Sequence, residues 1–299
     1  MDIESGFFGK IPVLPEEMTA SWEQIYTSDS GYTVLYRSRQ AGRSRLYKGL
    51  KPQWQNSPVH EALLRKEFEL GYALNHPGIA EYYSFQDVPG KGRCIEMEWV
   101  EGKTLGERLS CGSLSPAIAR KIARELCEAL DYMHHRQIVH RDLKPDNILI
   151  TDKGDNVKII DFGCSDSDGH LIGKEPAGTA VYAAPELISG GVVDNRSDIY
   201  SLGLILKQLP GIPAKVSGKC LAPAPEQRFQ SALDVENALK VKPFPVWGWI
   251  AVALVALVLA AGALWRYDAV RDQQEADELL EETWDHIQET GFPTTSQPG

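Results

Sequence analysis

The sequence predicts an α+β fold followed by one transmembrane helix, on three observations. Residues 20–100 read as short strand-like runs around a single helical pattern, residues from 104 onward turn mainly helical, and residues 246–264 hold 19 positions without a charge. Length and composition suit such a chain. Its 299 residues suffice for a sizeable core, and 43% hydrophobic with 24% charged residues argues against a disordered, collagen-like or polytopic membrane protein. The formal net charge of −10 disfavours a nucleic-acid binder, which needs a basic footprint. Cys94, Cys111, Cys127, Cys164 and Cys220 are odd in number and widely spaced, so buried free thiols are expected rather than a disulfide framework or a zinc site.

In chain order, residues 32–39 (YTVLYRSR) and 44–50 (SRLYKGL) flank QAGR, a short glycine-containing connection typical of a hairpin. Leu63, Leu64, Phe68, Tyr72 and Ala73 recur at helical spacing across residues 59–74, and Asn75, His76, Pro77 and Gly78 stop that helix. Residues 80–86 and 94–100 read as two further strands. In the helical part, Ser115 and Pro116 provide the N-cap and first position of a helix over residues 116–135, with Ile118, Ile122, Leu126, Ala129, Leu130 and Met133 as its core stripe. Further helices are expected over residues 198–209 and 231–239, whereas residues 210–225, rich in Pro, Gly and Ala, are expected to be irregular.

The apolar run at residues 246–264 reaches about 28 Å as a helix, close to the hydrocarbon thickness of a bilayer. Trp247, Trp249, Trp265 and Tyr267 mark its ends at interfacial depth. A transmembrane helix is therefore expected over residues 246–265, with residues 266–299 as an acidic tail. That tail holds 2 basic and 9 acidic side chains, against 29 basic and 32 acidic in the remainder. Lys240 and Lys242 before the span are balanced by Arg266 and Arg271 after it, so charge scarcely orients it. The first residues carry early acidic groups and no continuous apolar stretch, unlike a signal peptide, which favours a cytoplasmic N-terminal portion at the inner membrane and a tail outside. Ala269, Ala276, Leu280, Trp284 and Ile287 predict a short amphipathic helix after the span, serving either a partner or homodimer contact or only solubility.

Chemistry-bearing residues are concentrated between the helices. Residues 140–147 read HRDLKPDN, residues 161–163 read DFG, residues 178–186 read GTAVYAAPE, and DIYSLG begins at Asp198. Two carboxylates and an amide on tight loops suit phosphoryl transfer, which needs a group to align an attacking hydroxyl and oxygen ligands for magnesium. Each motif alone is weak; their conjunction in this order is highly specific.

On these motifs the chain resembles the eukaryotic-like serine/threonine protein kinase family, in its single-pass, membrane-anchored bacterial form, over residues 20–240. The resemblance implies a two-lobed fold, with a β-rich small lobe of residues 20–100 and a helical large lobe of residues 101–240 shortened in its C-terminal part. It implies ATP and Mg2+ in the cleft and a protein substrate offering Ser or Thr hydroxyls. Asp142 matches the catalytic-loop base, Lys144 the lysine that contacts the transferred phosphate, and Asn147 and Asp161 the magnesium ligands. Lys48 matches the strand lysine that holds the α- and β-phosphates, and Glu67 its helix partner, with Glu61 and Glu69 as competing carboxylates. Met97 falls at the gatekeeper place, and Glu98 to Val100 would offer backbone groups to adenine. Arg228 matches the large-lobe arginine paired with the glutamate of APE, here Glu186. Arg141 could meet a phosphate on Ser165 or Ser167, while Thr179 shapes the substrate site. The glycine-rich loop departs from the family, since TSDSGYTVL at residues 27–35 keeps only Gly31 and adds Asp29. A catalytically weak or dead pseudokinase scaffold is therefore the alternative function.

Overall fold

Alternating side chains build an antiparallel sheet from β1 (Ser21–Thr27), β2 (Thr33–Gln40), β3 (Arg43–Leu50), β4 (Tyr82–Val88) and β5 (Gly92–Glu98), in the order β1-β2-β3-β5-β4. The computed structural model describes residues 21–28, 31–112, 114–162, 181–240 and 246–290. The expected hairpin joins β2 to β3, with Gln40 opposite Arg43 and a two-residue turn in which Ala41 and Gly42 lie at φ 48° and 74°. Positive φ at both positions matches the strand twist, which is why a two-residue link works here. Strand β1 was not expected; every one of its residues is exposed, so it carries no inward alternation to read.

Helix α1 (Pro58–Tyr72) starts at Ser57 with Pro58 in its first turn and buries Leu64, Glu67 and Gly71. Those three lie one above another at spacings of three and four residues, so a carboxylate sits in the middle of the buried face. Tyr72, part of the apolar periodicity, faces solvent instead.

A three-stranded sheet follows, made by β6 (Gly102–Thr104), β7 (Ile148–Thr151) and β8 (Val157–Ile159), with α2 (Leu105–Ser110) capped by a reciprocal Thr104–Glu107 box. Helix α3 (Pro116–His135) has the expected bounds, and Ser115 Oγ accepts from the Ile118 N–H. Its buried stripe of Ile122, Leu126, Ala129, Leu130 and Met133 forms the centre of the core. Then come α4 (Pro185–Ser189), α5 (Asn195–Gln208), α6 (Ala214–Cys220) and α7 (Ala232–Leu239).

Helix α6 corrects the expectation of an irregular segment at residues 210–225. It is only seven residues long and buries Val216, Ser217 and Cys220, too few positions for a visible helical period. A Cβ on Gly203 of α5 would come within 2.5 Å of Cys220 Cβ, so that glycine permits the close approach of the two helices. Cys94, Cys127 and Cys220 are buried thiols as expected, whereas Cys111 is exposed because it ends α2 at the surface.

The chain divides into two compact units, Met1–Lys240 and Val241–Gly299. The second unit contains α8 (Val246–Thr290), a single helix of 45 residues. Its stretch Ile250–His286, with mean hydropathy 2.0 in its most apolar part, is the candidate membrane span among the described residues. The separate short helix expected after the span is instead the continuation of α8, because residues 263–290 contain no Gly or Pro to end it.

Candidate active site

Strands β7 and β8 bring two distant motifs side by side. Asn147 immediately precedes β7 and Asp161 lies two residues beyond β8, so one antiparallel pairing delivers both loops to the same edge. The Ile160 N–H donates to Asn147 O (3.0 Å) and joins the two loops directly. Ile159 also bonds the chain before β4, through its N–H to Gly78 O (2.8 Å) and its carbonyl to the Ala80 N–H (3.0 Å).

The loop of residues 140–147 is held from below by Asp198, a fully buried carboxylate near the start of α5. It accepts from the backbone N–H groups of His140 (2.8 Å) and Arg141 (2.9 Å) and bonds His134 Nε2 (2.8 Å). Burial works against its charge, but these donors overcome it and hold its pKa below the ordinary aspartate value. Arg141 takes φ 64°, a left-handed conformation that costs about 1–3 kcal/mol in a non-glycine residue and persists where neighbours over-determine it. The His140 ring bonds the Asp142 N–H (3.3 Å) and Ile160 O (3.2 Å), which ties the loop to β8.

Within that frame, Asp142 is buried and its carboxylate faces Lys144 Nζ at 3.1 and 3.3 Å. Asn147 Nδ2 donates to Asp142 O (2.8 Å) and Oδ2 (3.1 Å), which leaves the amide oxygen of Asn147 for a cation. Asp161, at φ 67°, keeps its side chain 31% exposed and accepts from Lys48 Nζ at 3.0 Å. Phe162 beside it is buried, with its ring 5.7 Å from Tyr82 and 5.5 Å from His140 between centroids.

Lys48 on β3 meets Glu67 Oε1 at 2.7 Å, 19 residues away, and Asp161, 113 residues away. Burial alone would discharge the ammonium group, but the Asp161 and Glu67 carboxylates reverse this and raise its pKa above the ordinary lysine value. Of the competing carboxylates, Glu61 pairs with Arg65 and Arg93, and Glu69 is exposed. The hinge residues are divided in role. The Glu98 N–H donates to Glu81 O (2.8 Å) and its carboxylate bonds Lys158 Nζ (2.8 Å), while the backbone groups of Val100 make no bond among the described residues. Met97 is buried on β5 opposite Leu46 and Tyr82.

Gly31 has a local reason to be glycine: its N–H donates to Ser28 Oγ (2.8 Å), and a Cβ there would collide with the same oxygen. Asp29, Gly163, Ser165, Ser167 and Thr179 lie outside the described residues. The sequence reading singled out DIYSLG at residue 198 but not that Asp198 anchors the catalytic loop, and it passed over His134 and Tyr82. The only signal for Asp198 was an acidic residue inside a buried helix pattern.

The donor set suits magnesium and a nucleotide. Asn147 and Asp161 offer hard oxygen ligands, a buried cation stands beside them, and no cluster of three His, Cys, Asp or Glu able to hold a metal occurs among the described residues. Two protein ligands completed by phosphate oxygens and water are the usual arrangement for Mg2+.

The protein kinase domain family model matches residues 28–231. Among curated proteins, serine/threonine-protein kinase PknB of Mycolicibacterium smegmatis is 35% identical over 184 residues, which is 58% of this chain and 29% of that protein. The probable serine/threonine-protein kinase SCO3848 of Streptomyces coelicolor is 36% identical over 194 residues, covering 60% of this chain and 28% of that protein. The matched stretch thus spans less than a third of these relatives. Among solved structures, the Mycobacterium tuberculosis PknI kinase domain aligns with a TM-score of 0.56 and 25% identity, over 76% of this chain and 98% of that one. A family match over more than half of the residues, on a two-lobed architecture with the motif residues assembled at one edge, means that the chain belongs to the protein kinase domain family.

Proposed function

We propose that the chain is a membrane-anchored serine/threonine protein kinase that transfers the γ-phosphoryl group of ATP to Ser or Thr hydroxyls of a protein substrate. The observation that carries this reading is the buried Lys48 ammonium held between Glu67 and Asp161, from three segments far apart in sequence. A charge buried at that cost needs a purpose beyond the fold, and phosphate oxygens are its natural partner. Bound Mg-ATP supplies the electrophilic phosphorus and neutralises the charge that develops on its oxygens. Asp142 orients the incoming hydroxyl and accepts its proton, and Lys144 beside it stabilises the transferred group. Asn147 and Asp161 hold the cation, and Lys48 aligns the α- and β-phosphates. Glu98 and Val100 face adenine through backbone groups, for which both Val100 groups remain available. In this reading the span in α8 leaves the N-terminal unit in the cytoplasm and the acidic end outside.

One observation favours the pseudokinase scaffold: the Gly31 N–H is committed to Ser28 Oγ, so the loop offers phosphate one donor fewer. Labelled ATP supplied to the full chain in detergent decides between the two. Asp142→Asn should abolish transfer while nucleotide binding persists, and Asp161→Asn should weaken Mg-ATP binding as well. A parent chain that binds nucleotide without transferring phosphate makes the scaffold reading the correct one.

A further inference from the structure

Lys91, in the turn between β4 and β5, carries a positive charge that no acidic group answers. Its Nζ makes no ion pair or hydrogen bond among the described residues, and rests instead 4.5 Å from the centre of the Trp22 ring and 5.2 Å from that of Tyr36. Tyr36 stands opposite Tyr47, whose ring lies 4.8 Å from Trp22, so one aromatic surface spans β1, β2 and β3. Tyr47 precedes Lys48, which puts this surface on the sheet face away from the Lys48 ammonium. The acid of the same cross-strand row is already engaged. Glu96, opposite Tyr47, accepts from Ser84 Oγ (2.9 Å) and Gln86 Nε2 (3.0 Å) and faces Arg45 (3.6 Å). The turn itself delivers Lys91 to the rings. Lys91 lies between Gly90 and Gly92, both left-handed at φ 74° and 71°, and Gln55 Nε2 donates to its carbonyl (3.0 Å). A Cβ on Gly49 of β3 would come within 2.8 Å of Cys94 Sγ and 3.8 Å of Lys91 O, so the turn folds over the sheet.

We propose that Lys91 is a positioning residue for nucleotide binding: its ammonium, seated on Trp22 and Tyr36, clamps the edge strand β1 and with it the nucleotide loop into which β1 leads. That strand needs a clamp. Every residue of it is exposed, and it pairs with β2 alone. It ends at Thr27, and Ser28 then closes the loop, its N–H donating to Thr33 O (3.2 Å) and its Oγ accepting from the Gly31 N–H. A β1 free to fray would leave that loop for the nucleotide to order, which lowers affinity. The ring contacts of Lys91 involve none of Asp142, Lys144, Asn147 or Asp161, so the clamp acts on binding rather than on transfer. The inference rests on the kinase reading for the ligand, Mg-ATP; the clamp itself stands on these contacts alone.

Lys91→Gln in the detergent-solubilised full chain removes the charge and keeps a polar side chain. Its Kd for Mg-ATP should rise about two- to fivefold, the size of one cation–aromatic contact, while kcat at saturating ATP stays at the parent value. Hydrogen exchange without nucleotide should quicken across β1 (Ser21–Thr27) and stay at the parent rate across α3 (Pro116–His135). Lys91→Arg, which keeps a cation able to stack on the rings, should match the parent in all three measurements. With Trp22 already replaced by Leu, Lys91→Gln should matter less, because the two changes remove the same contact. An unchanged Kd, parent-like exchange in β1, faster exchange in β1 and α3 alike, or full additivity with Trp22→Leu overturns the proposal. A parent that binds Mg-ATP without transferring phosphate removes the kinase reading alone, and Kd and exchange then still decide the role of Lys91; a parent that binds no nucleotide removes both.

Discussion

Arg228 and Glu186 form a two-pronged ion pair, with Nη1 to Oε1 at 2.7 Å and Nη2 to Oε2 at 2.8 Å. The Arg228 side chain is wholly buried, and its remaining donors reach the carbonyls of Ala222 (2.8 Å), Arg196 (2.9 Å) and Pro223 (2.9 Å). Glu186 also accepts from Ser197 Oγ at 2.7 Å. One arginine thus fastens α4 to the start of α5 and to the segment before α7. Between α5 and that segment the chain forms one short helix, the seven residues of α6.

Removing one partner of a buried pair strands the other and costs about 3–5 kcal/mol, a large part of a total stability of roughly 5–15 kcal/mol. Arg228→Ala should therefore lower Tm by roughly 6–20 °C and reduce phosphate transfer with it. Thermal unfolding of the full chain in detergent checks this. If both Arg228→Ala and Glu186→Ala melt with the parent, the pair is not what holds this part of the large lobe.

The same pair predicts an acid limb. Burial alone would raise the Glu186 pKa, but the bonds from Arg228 and Ser197 outweigh it and lower it from 4.5 to about 2. A carboxylate depressed in the folded state stabilises it fully above the unfolded value and loses that contribution as pH falls through the folded one. The parent should lose stability between pH 4.5 and about 2, and the loss should be shallower in Glu186→Gln. Identical slopes of Tm against pH in the two proteins would refute the assignment.

The residues that were legible in the sequence are those whose role is set by neighbours along the chain. Asp142, Lys144 and Asn147 lie on one loop of eight residues, and the structure keeps them within hydrogen-bond reach of one another. Lys48 was read from its strand register in LYKGL, and Glu67 from its place nine residues before His76. Asp198 and Tyr82 make instead contacts that linear spacing does not express: two backbone N–H groups 57 and 58 residues away for the first, and the backbone of Gly71 on α1 for the second. Strand β1 and helix α6 were missed for a related reason, since one is exposed throughout and the other is shorter than two turns of readable period. Helix α8 was read in two pieces because composition changes at Arg266 while the backbone has no reason to break there.

Orientation gives a third prediction. With the N-terminal unit in the cytoplasm, protease supplied outside intact cells, or outside spheroplasts where an outer membrane intervenes, should remove only the chain beyond about residue 265, the far end of a span of bilayer length. Digestion of the N-terminal unit with survival of the acidic end would reverse the proposed topology.

The last prediction concerns Asp198, whose two oxygens accept from His140 and Arg141 and so set the entry to the catalytic loop. Asp198→Asn replaces one acceptor by an amide N–H that must face a buried donor. Leaving such a donor unsatisfied costs about 1–3 kcal/mol. The strained φ of 64° at Arg141 would no longer be over-determined, and relaxation there moves the adjacent Asp142. The bonds of Lys48 to Glu67 and Asp161 do not pass through Asp198, so nucleotide binding should be spared. The expected signature is a fall in kcat far larger than any rise in the Kd for Mg-ATP, with a modest drop in Tm. Equal losses in binding and turnover would show that Asp198 supports the large lobe as a whole rather than the loop, and parent-like kcat would remove it from the catalytic apparatus.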